Sequence, residues 1–254
     1  MVGEKITAIV KPTHACNLSC KYCYVGKEAE QGRMDQSTLE KVISQLSALP
    51  RIKDVHFIWH GGEPLTMGLG FYMEVAKIQD TLKGKGVHFS NGIQTNATLV
   101  TDELLDFIDE RKDFRLGFSM DGPPEIHNQV RVYKDGHGSF DDVLRGMTKV
   151  MDRRDAAQKD SCKRKQIGRS GVVVVMSKVN VTKPDEMYAF FKGTGINMKA
   201  NPLIYSGSAV QNIAELGITP RQYGDFLVRL FDLWFNDPEF KIDIDPLSMI
   251  MVNC

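Results

Sequence analysis

The chain has 254 residues, 32 Lys and Arg against 32 Asp and Glu, and 42% hydrophobic with 25% charged residues. That length and apolar content support one large α/β domain or two small ones, with a sizeable buried core. Zero net charge points away from nucleic acid or an anionic membrane as the main partner, and no apolar run approaches a bilayer span.

The N-terminal residues Met1-Val2-Gly3-Glu4-Lys5 lead straight into a strand and lack a signal-peptide pattern. Five cysteines are present: Cys16, Cys20, Cys23, Cys162 and Cys254. An odd count, with three crowded together, is a poor disulfide framework and a good metal or cluster pattern. It suits a reducing cytoplasm, so a cytoplasmic protein is expected.

Strand and helix alternate along the chain. Ile6 to Lys11 reads as a strand that Pro12 ends, and the cysteine run follows. Ser37 is expected to cap a helix through Leu49, with Leu39, Val42, Ile43 and Leu46 at helical spacing and Pro50 as its stop. Val55 to Trp59 is the second strand, followed by His60-Gly61-Gly62-Glu63-Pro64. Phe71 to Lys83 is helical, ended by Gly84 and Gly86. Val87 to Thr95 is the third strand, and Thr101 caps a helix whose apolar face holds Leu104, Leu105, Phe107 and Ile108.

Arg115 to Ser119 is the fourth strand, running into the turn Asp121-Gly122-Pro123-Pro124. A polar loop through Gly138 precedes a helix from about Phe140 to Met151. Asp152 to Arg169 is locally basic and reads as a loop or surface extension. Val172 to Val175 is a fifth strand, β-branched throughout and expected to be buried on both faces. Pro184 opens a helix ending near Gly193 and Gly195. Asn197 to Leu203 is the sixth strand, and Thr219-Pro220 opens the final helix, which carries Tyr223, Phe226, Leu227, Leu230, Phe231 and Trp234.

Six β-α units at this spacing imply parallel strands joined by right-handed crossovers, in an open doubly wound sheet or a partial β/α barrel. Functional groups then belong on the loops after the strands' C-terminal ends. The cysteine run, Gly-Gly-Glu and Ser119-Met120-Asp121-Gly122 all fall there.

Cys16-Asn17-Leu18-Ser19-Cys20-Lys21-Tyr22-Cys23 is a Cys-x3-Cys-x2-Cys run. Three thiolates on one short loop can hold an iron–sulfur cluster at three of four irons and leave the fourth able to bind a small molecule, whereas four-cysteine patterns saturate the cluster. A zinc site with His14 as fourth ligand is the alternative, and would be closed and tetrahedral.

The run resembles the signature of radical S-adenosylmethionine (SAM) enzymes. Gly61-Gly62-Glu63-Pro64, Gln94-Thr95-Asn96, Ser119-Met120-Asp121-Gly122 and His127-x3-Arg131 extend the likeness over nearly the whole chain. In that order they resemble the peptide- and protein-modifying, SPASM-type branch that includes anaerobic sulfatase-maturating enzymes. The resemblance implies an α/β fold, a partial (β/α)6 TIM-like barrel. It implies a 4Fe–4S cluster on Cys16, Cys20 and Cys23, with SAM chelating the fourth iron. Reductive cleavage of SAM would then give a 5′-deoxyadenosyl radical that abstracts hydrogen from an unactivated C–H bond.

Within that resemblance, Gly61, Gly62 and Glu63 are expected at the SAM amino group, because glycine allows close backbone approach and a carboxylate or carbonyl accepts ammonium hydrogens. Ser119 is a candidate for the ribose hydroxyls and Arg131 for the SAM carboxylate, with Arg145 in reserve. Gln94 and Asn96 are candidates for SAM or substrate contacts. Tyr22 is a candidate for packing near the adenine or cluster. Each has a plainer reading as strand-end, turn or core structure, strongest for Asp121-Gly122, which is common turn chemistry. His60 and His127 read as hydrogen-bonded structure, and Cys162 as a free thiol.

The expected organisation is a radical SAM core over residues 1–236 and a C-terminal segment over 237–254, which either starts a truncated auxiliary-cluster (SPASM-like) extension or ends a protein with the radical SAM core alone. Cys254 is a candidate first auxiliary ligand, and auxiliary iron–sulfur clusters are implied if the chain continues. The expected partners are a peptide or protein substrate and an electron donor such as flavodoxin or ferredoxin. Ribosomally made peptide natural products are the first substrate class, and formylglycine formation on a sulfatase Cys or Ser is the second. No catalytic acid or base is assigned.

Overall fold

A computed structural model describes residues 4–25, 32–84, 86–158, 171–239 and 242–252. Among these the strands are β1 (Lys5–Thr13), β2 (Asp54–Gly61), β3 (His88–Thr95), β4 (Phe114–Ser119), β5 (Gly171–Met176), β6 (Asn197–Pro202) and β7 (Ile244–Asp245). The helices are α1 (Gln36–Ser47), α2 (Leu69–Lys83), α3 (Asp102–Arg111), α4 (Pro124–Val130), α5 (Phe140–Gln158), α6 (Pro184–Thr194), α7 (Ser208–Gln211), α8 (Ile213–Leu216), α9 (Pro220–Phe235) and α10 (Leu247–Val252). The strands form a seven-stranded sheet whose order follows the chain, and the pairs β1·β2, β2·β3, β4·β5, β5·β6 and β6·β7 are all parallel. The α/β class and parallel β/α construction expected from the sequence hold. The sheet has seven strands where six were expected, because a two-residue β7 has no periodicity to read.

The chain divides into two compact units: Met1–Asn17 with Ala29–Gly117, and Leu18–Glu28 with Phe118–Cys254. In the first unit β2 alternates strictly, burying Val55, Phe57 and Trp59 on one face. Phe57 and Trp59 stack at 5.3 Å, and Phe71 meets Trp59 edge-on at 5.6 Å. Leu39 and Ile43 of α1, Tyr72 and Val75 of α2, and Leu104 and Leu105 of α3 are buried too. Burial of such side chains, worth about 1.5–3 kcal/mol each, drives this folding. In the second unit Val172, Val174 and Met176 of β5 are buried, as are Met198 and Ala200 of β6, Met187 and Phe191 of α6, and Phe226, Leu230 and Trp234 of α9.

Several boundaries differ from the sequence reading. β1 does not stop at Pro12: a register shift after Val10 lets Thr13 resume pairing, with Gly61. Asp35, not Ser37, caps α1, accepting from Thr38 N at 2.7 Å. The loop expected between Gly122 and Gly138 contains α4, opened by Pro124 at its first turn. The helix from Phe140 continues to Gln158, so the first part of the basic extension is helical. The rest of that extension, with Cys162, lies outside the described residues, as does Cys254. Val173 and Val175 are only half-buried, so β5 is not enclosed on both faces. α9 is capped by Thr219 and Gln222 in a reciprocal capping box but is not the final helix, since α10 follows.

Candidate functional site

In the first unit, the residues that lead into the cysteine run lie directly on the β2 terminus. Gly62 N donates to Thr13 O at 3.0 Å, and Glu63 N to Ala15 O at 2.8 Å. Gly61 has φ +112°, and a Cβ there would fall 2.4 Å from Thr13 O. A Cβ on Gly62 would fall 2.3 Å from Ala15 O and 2.4 Å from His14 O. The glycine pair therefore admits protein backbone, that of the segment carrying Cys16.

Glu63 is 1% exposed, and its carboxylate is filled by protein donors. Oε1 accepts from Leu65 N at 2.9 Å and from Thr95 Oγ1 at 2.7 Å, while Oε2 accepts from Asn96 N at 2.7 Å. A buried carboxylate is tolerable only with such partners. Asn96 passes the connection on: its Nδ2 donates to Asn17 Oδ1 at 2.9 Å and lies 3.9 Å from Cys16 Sγ. Its Oδ1 accepts from Thr98 N at 3.0 Å and Thr98 Oγ1 at 2.8 Å, and Asn17 Nδ2 donates to Thr98 Oγ1 at 2.7 Å. Thus Gly61, Gly62, Glu63, Asn96 and Cys16 form one connected group. Gln94 sits on the half-buried face of β3, and its Oε1 occupies space within 2.5 Å of where Gly117 would carry a Cβ. His60 Nδ1 accepts from Gly61 N at 2.8 Å, and burial lowers its pKa, in keeping with a neutral structural role.

In the second unit, the segment with Cys20 and Cys23 is held on two sides. Ser19 N donates to Val132 O at 2.7 Å and Lys21 N to Val130 O at 2.9 Å, beside an antiparallel bridge between Leu18 and Tyr133. Opposite, Ser208 N donates to Cys23 O at 2.8 Å and Asn212 Nδ2 to Lys21 O at 2.8 Å. Cys23 N closes a turn onto Cys20 O at 3.1 Å. Tyr22 is buried with Val130, Leu203, Ala209 and Leu216, and Cys20 packs on the same cluster.

The Tyr22 hydroxyl donates to Asp121 Oδ2, and burial holds the phenol well above its ordinary pKa, so it stays a donor. Arg131 Nε donates to the same oxygen at 2.9 Å, with its guanidinium 5.5 Å from the Tyr22 ring centroid. Tyr22 and Arg131 are thus brought together, joined by a fully buried residue that sequence reasoning treated as turn chemistry. The overlooked signal was that Tyr22 and Arg131, one on each side of Asp121 in sequence, both carry donors that a buried carboxylate satisfies. Ser119 ends β4, half-buried, with its Cα paired to Val173. Arg145 is exposed on α5 and pairs with Asp142 at 2.6 Å.

His127, which is buried, receives Asp121 N at its Nδ1 (3.4 Å) and meets Ser139 Oγ at its Nε2 (3.1 Å). Ser139 Oγ donates onward to Arg131 O at 2.9 Å, so Nε2 carries the proton and the ring is neutral. Burial lowers its pKa to about 4.

Among the described residues no three His, Cys, Asp or Glu side chains are gathered around one metal-sized point. Cys16, Cys20 and Cys23 lie outside any disulfide and are of intermediate exposure. No described helix is long and apolar enough to cross a membrane.

Residues 10–156 match the model of the radical SAM superfamily, more than half of the chain. The chain belongs to the radical SAM superfamily. Within it, the chain is similar to a serine-type anaerobic sulfatase-maturating enzyme of Bacteroides thetaiotaomicron, 30% identical over 99% of this chain and 62% of the relative. A cysteine-type anaerobic sulfatase-maturating enzyme of Clostridium novyi is 25% identical over 92% of this chain and 61% of its own length. Among solved structures, "Native anSMEcpe with bound AdoMet and Cp18Cys peptide" superposes with a TM-score of 0.77 at 26% identity, covering 94% of this chain and 62% of that one. The chain therefore spans less than two thirds of the length of these relatives.

Proposed function

We propose that this chain is the radical SAM core of an enzyme that modifies a peptide or protein side chain. The observation that carries the reading is the Cys16–Cys23 run inside a chain whose family match begins at residue 10. Cys16, Cys20 and Cys23 would hold a 4Fe–4S cluster, and the donor set suits it: three partly exposed cysteines outside any disulfide, one of them facing the Asn96 amide. Bound there, the cluster and SAM would supply one-electron reductive cleavage chemistry.

The protein's part is to bind, orient and exclude. Because the Gly62 and Glu63 N–H groups are taken by backbone carbonyls and the Glu63 carboxylate by three donors, the SAM ammonium would be met by main-chain oxygens of the Gly61–Glu63 turn. Arg131 would pair with the SAM carboxylate: its Nε is used by Asp121, which leaves the terminal nitrogens as the fork. Ser119 would serve the ribose, and Gln94 and Asn96 line the same role set, Asn96 chiefly by anchoring Asn17 beside Cys16. Tyr22 would pack beside the cluster.

Formylglycine formation on a sulfatase Cys or Ser draws support from the names of the relatives, and maturation of a ribosomal peptide uses the same core. An electron donor such as flavodoxin or ferredoxin completes the cycle, and cysteines kept as thiols suit the cytoplasm. Residues 1–236 form the proposed core, and 237–254 the lead into an auxiliary-cluster extension. Anaerobic reconstitution with iron and sulfide, then SAM and reductant, should release 5′-deoxyadenosine; none released by a fully loaded protein would sink the proposal. Offering a sulfatase peptide with Cys or Ser at the target position separates the finer readings by the mass of the product.

A further inference from the structure

One carboxylate oxygen, Asp121 Oδ2, receives both the Tyr22 hydroxyl and Arg131 Nε. The other, Oδ1, accepts from Val175 N at 2.9 Å. The main chain of Asp121 is fixed as well, its N–H on His127 Nδ1 and its carbonyl receiving Asn180 Nδ2 at 3.4 Å. Asp121 is 0% exposed, so the carboxylate is held from every side by protein. Tyr22 lies between the thiols Cys20 and Cys23, and Arg131 is the cation offered to the cofactor. Two tasks meet at a single oxygen.

We propose that Asp121 is a positioning residue for SAM: from Oδ2 it sets the plane of the Arg131 fork and fixes the Tyr22 segment between two cluster ligands. The inference rests on the function proposed above. An arginine side chain has many rotamers, and ordering it only on ligand binding weakens affinity; holding its stem beforehand removes that cost. With Nε bound and the guanidinium set over the Tyr22 ring, only the terminal nitrogens remain to meet a carboxylate, in the bidentate geometry that arginine favours. Asparagine at position 121 keeps the shape but offers no anionic oxygen for both donors. The fork then loosens, and so does the loop beside Cys20 and Cys23.

The test compares wild type, Asp121→Asn and Tyr22→Phe, each reconstituted anaerobically. Iron and sulfide content, SAM affinity by equilibrium dialysis, and the EPR spectrum of the reduced cluster with and without SAM are measured. Asp121→Asn should load its cluster, bind SAM about tenfold more weakly, and show a diminished SAM-induced change in the spectrum even at saturating SAM. Tyr22→Phe removes one of the two Oδ2 donors and should weaken SAM binding by about threefold. Loaded Asp121→Asn with wild-type affinity and spectrum overturns the proposal. If Asp121→Asn does not load, wild-type affinity in Tyr22→Phe overturns it. Loaded wild type that binds no SAM defeats the functional reading instead.

Discussion

Gly62 lies so close to Ala15 that a Cβ at position 62 would sit 2.3 Å from the Ala15 carbonyl oxygen. Both partners are backbone, so no side chain can swing aside to relieve the clash. Gly62→Ala should therefore displace the segment leading to Cys16 and cost roughly 3 kcal/mol of stability. The readout is denaturant unfolding together with iron bound per chain after reconstitution. Unchanged values for both would mean that the close approach is not needed.

Glu63 is a second constraint on the same segment. Glu63→Ala strands Leu65 N, Thr95 Oγ1 and Asn96 N without their acceptor in a buried place, at a cost of about 1–3 kcal/mol for each group left unsatisfied. A total loss of about 3 kcal/mol or more is expected. Glu63→Gln keeps the shape and should be milder, since one amide oxygen still accepts. Equal stability of the alanine variant and wild type in urea would contradict this account.

His127 makes stability depend on pH. Burial takes its pKa from the ordinary 6.5 to about 4, so the unfolded chain binds the proton first as pH falls. The neutral ring's contribution is whole above pH 6.5 and is lost progressively down to about pH 4, amounting to at most about 3 kcal/mol. The neutral ring also accepts the Asp121 N–H at Nδ1, a contact that a second ring proton would oppose. His127→Gln should flatten the fall in unfolding free energy between pH 7 and pH 5. An identical slope in the variant would falsify the assignment.

The sequence carried the parallel strands, the placement of three motifs at strand ends and the buried apolar faces, because period-2 runs such as Val55-Phe57-Trp59 record which side faces helices. It did not show what occupies a motif's hydrogen bonds. Gly61-Gly62-Glu63 reads as a ligand cradle, yet its closest contacts include Thr13, His14, Ala15, Thr95 and Asn96, brought in at the C-terminal ends of β1 and β3. Asp121-Gly122 reads as a turn because local chemistry suffices for one. Its partners Tyr22, Arg131 and Val175 lie 99, 10 and 54 residues away, where no local pattern reaches. α7, α8 and β7 were missed because elements of two to four residues have no measurable period.

A second polar cluster separates stability from function. Asn91 is 1% exposed; its Oδ1 accepts from Trp59 Nε1 and Gln79 Nε2, both at 3.0 Å, and its Nδ2 donates to Gln79 Oε1 at 2.9 Å. Asn91→Ala leaves all three partner groups unsatisfied, and about 3 kcal/mol or more should be lost. Cluster loading and 5′-deoxyadenosine yield per folded molecule should not change, and a drop in either would give this core network a functional role.

The Asn96 amide, 3.9 Å from Cys16 Sγ, offers an N–H to the sulfur that would ligate one iron. Hydrogen bonds to cluster sulfurs stabilise the reduced, more negative state and so raise the reduction potential. Asn96→Asp keeps an oxygen for Thr98 N and Thr98 Oγ1 but turns the donor facing Cys16 and Asn17 Oδ1 into an acceptor bearing negative charge. Both changes oppose reduction. The midpoint potential of the reconstituted variant, followed by EPR-monitored redox titration, should move to more negative values, and a smaller fraction should be reduced at a fixed dithionite potential. A potential at or above that of wild type, in a variant with full iron content, would show that Asn96 does not act on the Cys16 sulfur.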